Sequence, residues 1–441
     1  MRIFFAVLLA LCSTTALAAR HELALSASMF SQLDRLPLDT QLVISGFPDG
    51  HGGTHTVQFK RIDIYAPGAR LFVVDATGRH EVPRSARIQL IGYDDSGQMR
   101  VHLGFDPGLR NLAGSGSAAA GNFAIHAQAN SHGSRLVVQP SEEALPAGVT
   151  PQILGTDDAV PNPQARPLPP LTLGLDAVTA ASRSAVVAVD VDQALLVKRF
   201  GGAGNTAAAT SWIADLFASM NVMYERDLNV TLLQGTTIFR SSGTPYTISS
   251  GAADGTDLDN FGNYWQANHA GVSRAFAMLL SGAMTSGNSA SGIAWVNAYC
   301  SSTYSYSVNK VFWSSGIGVG SSARLVGHEL GHNFGADHTH CTNATTGAYP
   351  TGSGTIDQCF KGESGRGCYA GAVSCPTSGP GFPQGSVMSY CHTSAPNGAA
   401  CGQNVSQFHP TQITTLSALI AQNTPACIAQ VSDQIFKNGF D

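Results

Sequence analysis

The sequence predicts an α+β chain in two units: a β-rich N-terminal segment, then a mixed sheet flanked by helices. Three observations predict it. Residues 20–140 carry short alternating apolar runs between Gly, Pro and Asp turns, residues 141–180 are rich in proline, and beyond them strand patterns alternate with helical ones. A chain of 441 residues, 43% hydrophobic and 12% charged, has enough apolar content for more than one core. Its net charge of −5 is spread without long runs, so the clustered Lys and Arg of a nucleic-acid partner surface are missing.

Taken in order, Arg2, the apolar run from Ile3 to Leu11 and the small-x-small Ala16-Leu17-Ala18 predict an export signal over 1–19. The run is shorter than the roughly 20 residues that a spanning helix needs, and no later stretch is long and apolar enough. The expectation is a monomer without a membrane anchor, secreted to an extracellular or periplasmic space. In 20–140, Gln41-Leu42-Val43-Ile44, His55-Thr56-Val57-Gln58-Phe59, Ala69 to Val74 and Arg135-Leu136-Val137-Val138 read as strands, and His51-Gly52-Gly53-Thr54-His55, whose two glycines spoil a helix, reads as a loop rather than a ligand pair. Gly114-Ser115-Gly116 reads as a turn or linker. Pro161-Asn162-Pro163 and Pro167-Leu168-Pro169-Pro170 favour an extended, solvated connector over 141–180.

The second unit, 181–430, opens with a buried strand at Ala185 to Val191. A helix follows, with Trp212, Leu216, Met220 and Met223 on one face, widened by Ile213 and Phe217. Val230-Thr231-Leu232-Leu233 and Gly292 to Val296 read as strands, Thr411 to Ala421 as a closing helix, and 431–441 as a tail. Apart from Cys12 in the signal, all eight cysteines follow residue 299, an even number that suggests disulfides in an exported chain without choosing their pairing. No Cys-x-x-Cys pair offers a thiolate zinc site.

The stretch Leu325-Val326-Gly327-His328-Glu329-Leu330-Gly331-His332-Asn333-Phe334-Gly335-Ala336-Asp337-His338 carries the chemistry. His328 and His332, four apart, share one helix face and can grip one ion. Ser321 or Ser322 can cap this helix. Gly335 lets the chain turn so that His338 returns as a third ligand. Three neutral imidazoles leave the fourth tetrahedral position of a zinc ion open to water. Glu329 then stands beside that water as a general base for attack on a carbonyl. Ser386-Val387-Met388-Ser389-Tyr390 follows about fifty residues later.

Together with Met388, the histidine motif resembles the metzincin zinc metalloproteases, in which a methionine turn forms an apolar floor beneath the zinc ligands. From Ala185 to Cys427 the chain is most similar to the adamalysin or reprolysin group. Phe276 to Gly282 and then Gly292, Ile293, Ala294 and Trp295, ending at Cys300, look like that group's helix and following edge strand. The resemblance implies a zincin-like catalytic domain with a mostly parallel, twisted sheet and an active-site helix. It implies one catalytic zinc and hydrolysis of protein or peptide substrates paired to the edge strand. It also implies a Cys300–Cys427 disulfide and a pro-segment over 20–140. The chain departs from the group at Thr339, where an aspartate usually stands. Tyr390 occupies the place where astacins and serralysins carry a tyrosine that can join the zinc, and reads either as such a ligand or as a packed ring.

The N-terminal segment has no cysteine once the signal is gone, so latency through a thiolate is excluded and must be steric or come from a carboxylate or histidine. A metal-holding adhesion module without turnover is the alternative, against which Glu329 argues. Gly316 to Gly320 lacks a nucleotide-site context and reads as an approach loop. Asp254, Asp257 and Asp259 could take calcium but fit no EF-hand spacing and read as a solvated loop. His340 reads as structural or exposed.

Overall fold

The computed structural model describes residues 21–431 apart from 26, 39, 131–132, 156–157, 168–180, 349–353, 364–366 and 380–381. The expected signal lies outside the described residues, as does the tail beyond Val431.

The N-terminal strands are β1 (His21–Leu25), β2 (Gln41–Pro48), β3 (Thr54–Ile62), β4 (Leu71–Asp75), β5 (Gly78–Val82), β6 (Ile88–Asp94), β7 (Arg100–Asp106), β8 (Asn111–Ala118), β9 (Gly121–Asn130) and β10 (Gly133–Pro140), with α1 (Ala27–Arg35) after the first. Eight of them form an antiparallel sheet in the order β1-β10-β9-β8-β7-β6-β3-β2. Alternation along the strands turns Val57, Phe59, Leu90, Leu103, Phe123 and Leu136 into one apolar layer. Of the stretch His51–His55, His51 to Gly53 form a loop, fixed by Asp49 Oδ1 accepting from His51 N at 2.8 Å and from Gly53 N at 2.9 Å, whereas Thr54 and His55 already belong to β3.

The hairpin of β4 and β5 belongs elsewhere. It pairs in parallel with β14 (Val230–Arg240), with Leu71 opposite Thr237 and Val74 opposite Arg240. Residues 20–140 are therefore β-rich as expected, but they serve two sheets.

The second unit contains β13 (Arg183–Val191), α2 (Gln193–Phe200), α3 (Thr206–Leu228), β14, α4 (Gly255–His269), β15 (Phe276–Ser281), β16 (Ser289–Val296), β17 (Tyr306–Lys310), α5 (Val319–Asn333), α6 (Pro410–Gln422) and β18 (Ala429–Gln430). Before it, β11 (Gln152–Ile153) and β12 (Ala159–Pro161) lie in the connector. The sheet runs β11-β16-β17-β15-β13-β14-β4-β5, parallel along this path except at β16–β17 and β4–β5. The central β13 is buried on both faces, which suits its run of Ala and Val.

Phe276 to Ser281 is strand β15, not the helix that the resemblance implied. A six-residue run without a polar face must be covered on both sides, and a central parallel strand provides that cover. The connector also differs from a solvated chain. Its β11 and β12 add in parallel to β16, the edge expected to receive a substrate, through Gln152 N to Asn288 O at 2.8 Å and Leu154 N to Ala290 O at 2.7 Å.

Helix α3 buries Trp212, Leu216, Met220 and Met223 as expected and lies between the two sheets. Its side toward the N-terminal sheet is polar: Arg100 forks onto Asp227 at 2.7 Å, Arg87 meets Asp215 at 3.0 Å and Lys60 meets Glu225 at 3.2 Å. The eight cysteines pair as Cys300–Cys427, Cys341–Cys368, Cys359–Cys391 and Cys375–Cys401, the first as the resemblance implied.

Candidate metal centre

Helix α5 begins at Gly318, which caps it without a side chain, so neither Ser321 nor Ser322 is the cap. The glycine-rich approach is thus partly helix. Almost every residue of α5 is buried, because β16, β17 and α3 close over it. Gly292 of β16 is one reason they can: a Cβ there would lie 2.1 Å from Glu329 Oε1. The helix stops at Phe334, and Gly335 takes φ +103°, open to glycine at little strain, which returns the chain to His338.

The three imidazoles meet. His328 Nε2 and His332 Nε2 are 3.0 Å apart, and the His338 ring centroid is 5.3 Å and 4.8 Å from those of the other two. Each Nδ1 has its own acceptor: Val387 O at 2.8 Å, Ala336 O at 2.8 Å and Glu363 Oε2 at 2.7 Å. With Nδ1–H donated outward, the Nε2 lone pairs face a common point, the donor arrangement of a metal site.

That point is met by Asp158, between β11 and β12. Its Oδ1 lies 2.7 Å from His338 Nε2 and 3.3 Å from His332 Nε2, and its Oδ2 lies 3.7 Å from His328 Nε2. Ala294 N donates to the Asp158 carbonyl at 2.9 Å, so edge pairing fixes the residue. Burial pushes this carboxyl up, but His338 and His328 prevail and hold it well below the carboxylate range.

Glu329 is fully buried, and neither carboxylate oxygen has a hydrogen-bond partner. Burial, then the Asp158 charge, pushes it well above its ordinary value. Such a carboxylate suits a neighbour that supplies a proton or a positive charge. Met388 packs beneath the helix, its Sδ 2.6 Å from where a Cβ on Gly331 would stand. The Tyr390 ring is packed 4.4 Å from the His338 centroid and 5.0 Å from that of Phe360, and burial, then the Asp158 carboxylate, pushes its hydroxyl well above its ordinary value. Gly292, Ile293, Ala294 and Trp295 form the edge beside the site, and Ala294 and Trp295 are paired to β12.

Sequence reasoning did not single out Asp158 or Glu363. Glu363 bonds His338 and also accepts from His340 Nε2 at 3.0 Å, so His340 is buried and structural. Burial pushes Glu363 up, but His338 and His340 bring it down to about 2. The nearby group of His338, His340, Cys341 and Glu363 lacks a thiolate, because Cys341 is in a disulfide.

Nothing among the described residues supports calcium at the acidic loop. Asp254 caps α4 by accepting from Asp257 N, and Asp259 is exposed. Asp257 accepts from the Lys310 ammonium at 2.6 Å, itself ringed by the carbonyls of Ser249 and Gly251 at 3.0 Å. The lysine supplies the positive charge that a cation would bring.

A reprolysin model described as metallo-peptidase family M12 matches residues 181–407, just over half of the chain. No curated protein matches. Among solved structures, the crystal structure of metalloproteinase-II from Bacteroides fragilis covers 68% of this chain and 82% of its own, at 11% identity and a TM-score of 0.35.

Proposed function

The chain belongs to metallo-peptidase family M12, and from that premise we propose a secreted, zinc-dependent endopeptidase whose general base is Glu329. The observation that carries this reading is the convergence of three Nε2 atoms beside a buried carboxylate without a hydrogen-bond partner among the described residues. His328, His332 and His338 would hold the ion, their Nδ1 atoms being engaged elsewhere. When bound, zinc supplies Lewis acidity, polarising a carbonyl and bringing the pKa of water near 7. Glu329 takes a proton from the attacking water and returns it to the leaving amine as the C–N bond breaks. Export is supported by four disulfides; among the described residues no helix is long and apolar enough to cross a membrane.

The same reading includes latency. Asp158 stands where the open ligand position would be and β12 lies on the substrate edge, which supports an inactive form relieved when the connector leaves. The segment before 181 then acts as the pro-segment.

Glu329→Gln in the secreted protein should retain zinc and lose peptide cleavage by about a thousandfold or more. Casein cleavage and metal content are to be measured together. Near-parental cleavage with metal retained would refute the role of Glu329, and chelator-insensitive cleavage would refute the zinc mechanism.

A further inference from the structure

Next to His328 lies a partly open cavity of about 550 Å³. Its walls include Arg324, Leu325 and His328 of α5, Val387 beside the methionine turn, and His392 and Gln403 of the following loops. Residues 150–154 and Asp158 of the connector form its remaining side. Asp158 and Arg324 are the acid and the arginine of this lining. If the connector is what leaves on activation, the acid leaves with it and the guanidinium stays.

Arg324 is 9% exposed, and among the described residues it forms no ion pair. Its Nη2 donates to Gln403 Oε1 at 2.7 Å and to Ser321 Oγ at 3.3 Å, both neutral. Burial lowers its pKa to about 10, against a weak opposing influence from the exposed Glu142, so it remains a cation at neutral pH. A buried cation held only by neutral acceptors is poorly compensated, and an incoming carboxylate would complete it. Position matters equally. Arg324 precedes His328 by one helical turn, about 6 Å along the axis, on the same face. A peptide held at the imidazoles would therefore project a side chain flanking the scissile bond into this cavity.

We propose that Arg324 determines specificity, selecting peptides with an aspartate or glutamate beside the bond that is cut. The proposal rests on the proteolytic reading above. The guanidinium pairs with the substrate carboxylate in the cavity, and Gln403 holds it in place. No step of bond cleavage uses Arg324.

The test uses the secreted full-length protein after its own processing, with a peptide library read by mass spectrometry. It then uses matched peptides differing only in Glu, Gln, Leu or Lys at the selected position. The expected result is enrichment of Asp and Glu at one position flanking the cut. The kcat/KM ratio of Glu over Gln should be about tenfold or more, expressed in KM. Arg324→Met should bring that ratio close to one, Arg324→Lys should keep part of it, and Arg324→Glu should favour Lys. Gln403→Leu, which removes the acceptor that positions the guanidinium but keeps its charge, should weaken the acidic preference without reversing it. Cleavage by the parent without acidic enrichment overturns the assignment whether or not any variant folds. An Arg324→Met protein that keeps the preference overturns it too. A parent that cuts no peptide overturns the proteolytic reading, and this proposal with it.

Discussion

Each imidazole at the candidate centre donates from Nδ1 to an acceptor of different origin: a carbonyl beside the methionine turn, a carbonyl within the glycine bend, and the Glu363 carboxylate. The third is the strongest kind of partner, because a carboxylate both orients the ring and raises its basicity as a ligand. Glu363→Ala should therefore weaken zinc binding by about 10- to 100-fold, with Glu363→Gln in between. Competition against a chromophoric chelator reads this directly, and an unchanged affinity in both variants would show that Glu363 only fills space. The candidate ligands and base were legible in the sequence because they are local: His328, Glu329 and His332 lie within five residues on one helix, and His338 follows one bend. Glu363 was not, since 25 residues of disulfide-linked loop separate it from His338. Asp158 is separated from His338 by 180 residues, and no local pattern encodes that contact.

Among the elements, β12 is decisive. It pairs with β16 in parallel, from Ala159 opposite Ala294 to Pro161 opposite Val296, and this register brings Asp158 to the imidazoles. A proline-rich composition reads as solvated chain because proline cannot donate along a ladder. The two short pairings here avoid that limit by placing Pro161 at the end of the strand. Asp158→Ala in the unprocessed full-length protein should release peptide cleavage at least about tenfold above the parent. A fluorogenic casein assay on freshly purified protein, with its N-terminus checked by mass spectrometry, measures it. Equal, silent preparations would remove Asp158 from the latency mechanism. Helix α3 was legible from its periodicity, and α6 and the strands β13, β14 and β16 from their local composition. Strand β15 was expected to be a helix from the resemblance alone, and its unbroken apolar run has no period that could have corrected it.

At the scale of the whole molecule, the N-terminal sheet meets α3 through buried polar groups. His102 sits among them, with Nδ1 2.9 Å from Ser219 Oγ and Nε2 2.8 Å from Gln89 Oε1. Burial, then the charge of Arg87, lowers its pKa to about 3 from an ordinary 6.5. The unfolded chain thus binds this proton at a higher pH than the folded one. The stability that His102 contributes is complete above pH 6.5 and is lost as pH falls toward about 3. The midpoint of urea unfolding should fall across that window, and His102→Gln should make the fall shallower by close to one proton. Identical slopes would place the pH response elsewhere.

The loan of β4 and β5 to the second sheet has its own consequence. Any maturation that carried off the first unit would strip Thr237 to Arg240 of their neighbour and leave a bare row of amides and carbonyls along β14. The mature enzyme must then bend this rim away, hide it, or match it with the same rim on a sister molecule. A device for keeping the enzyme silent would thus double as the guard that keeps it from sticking to itself.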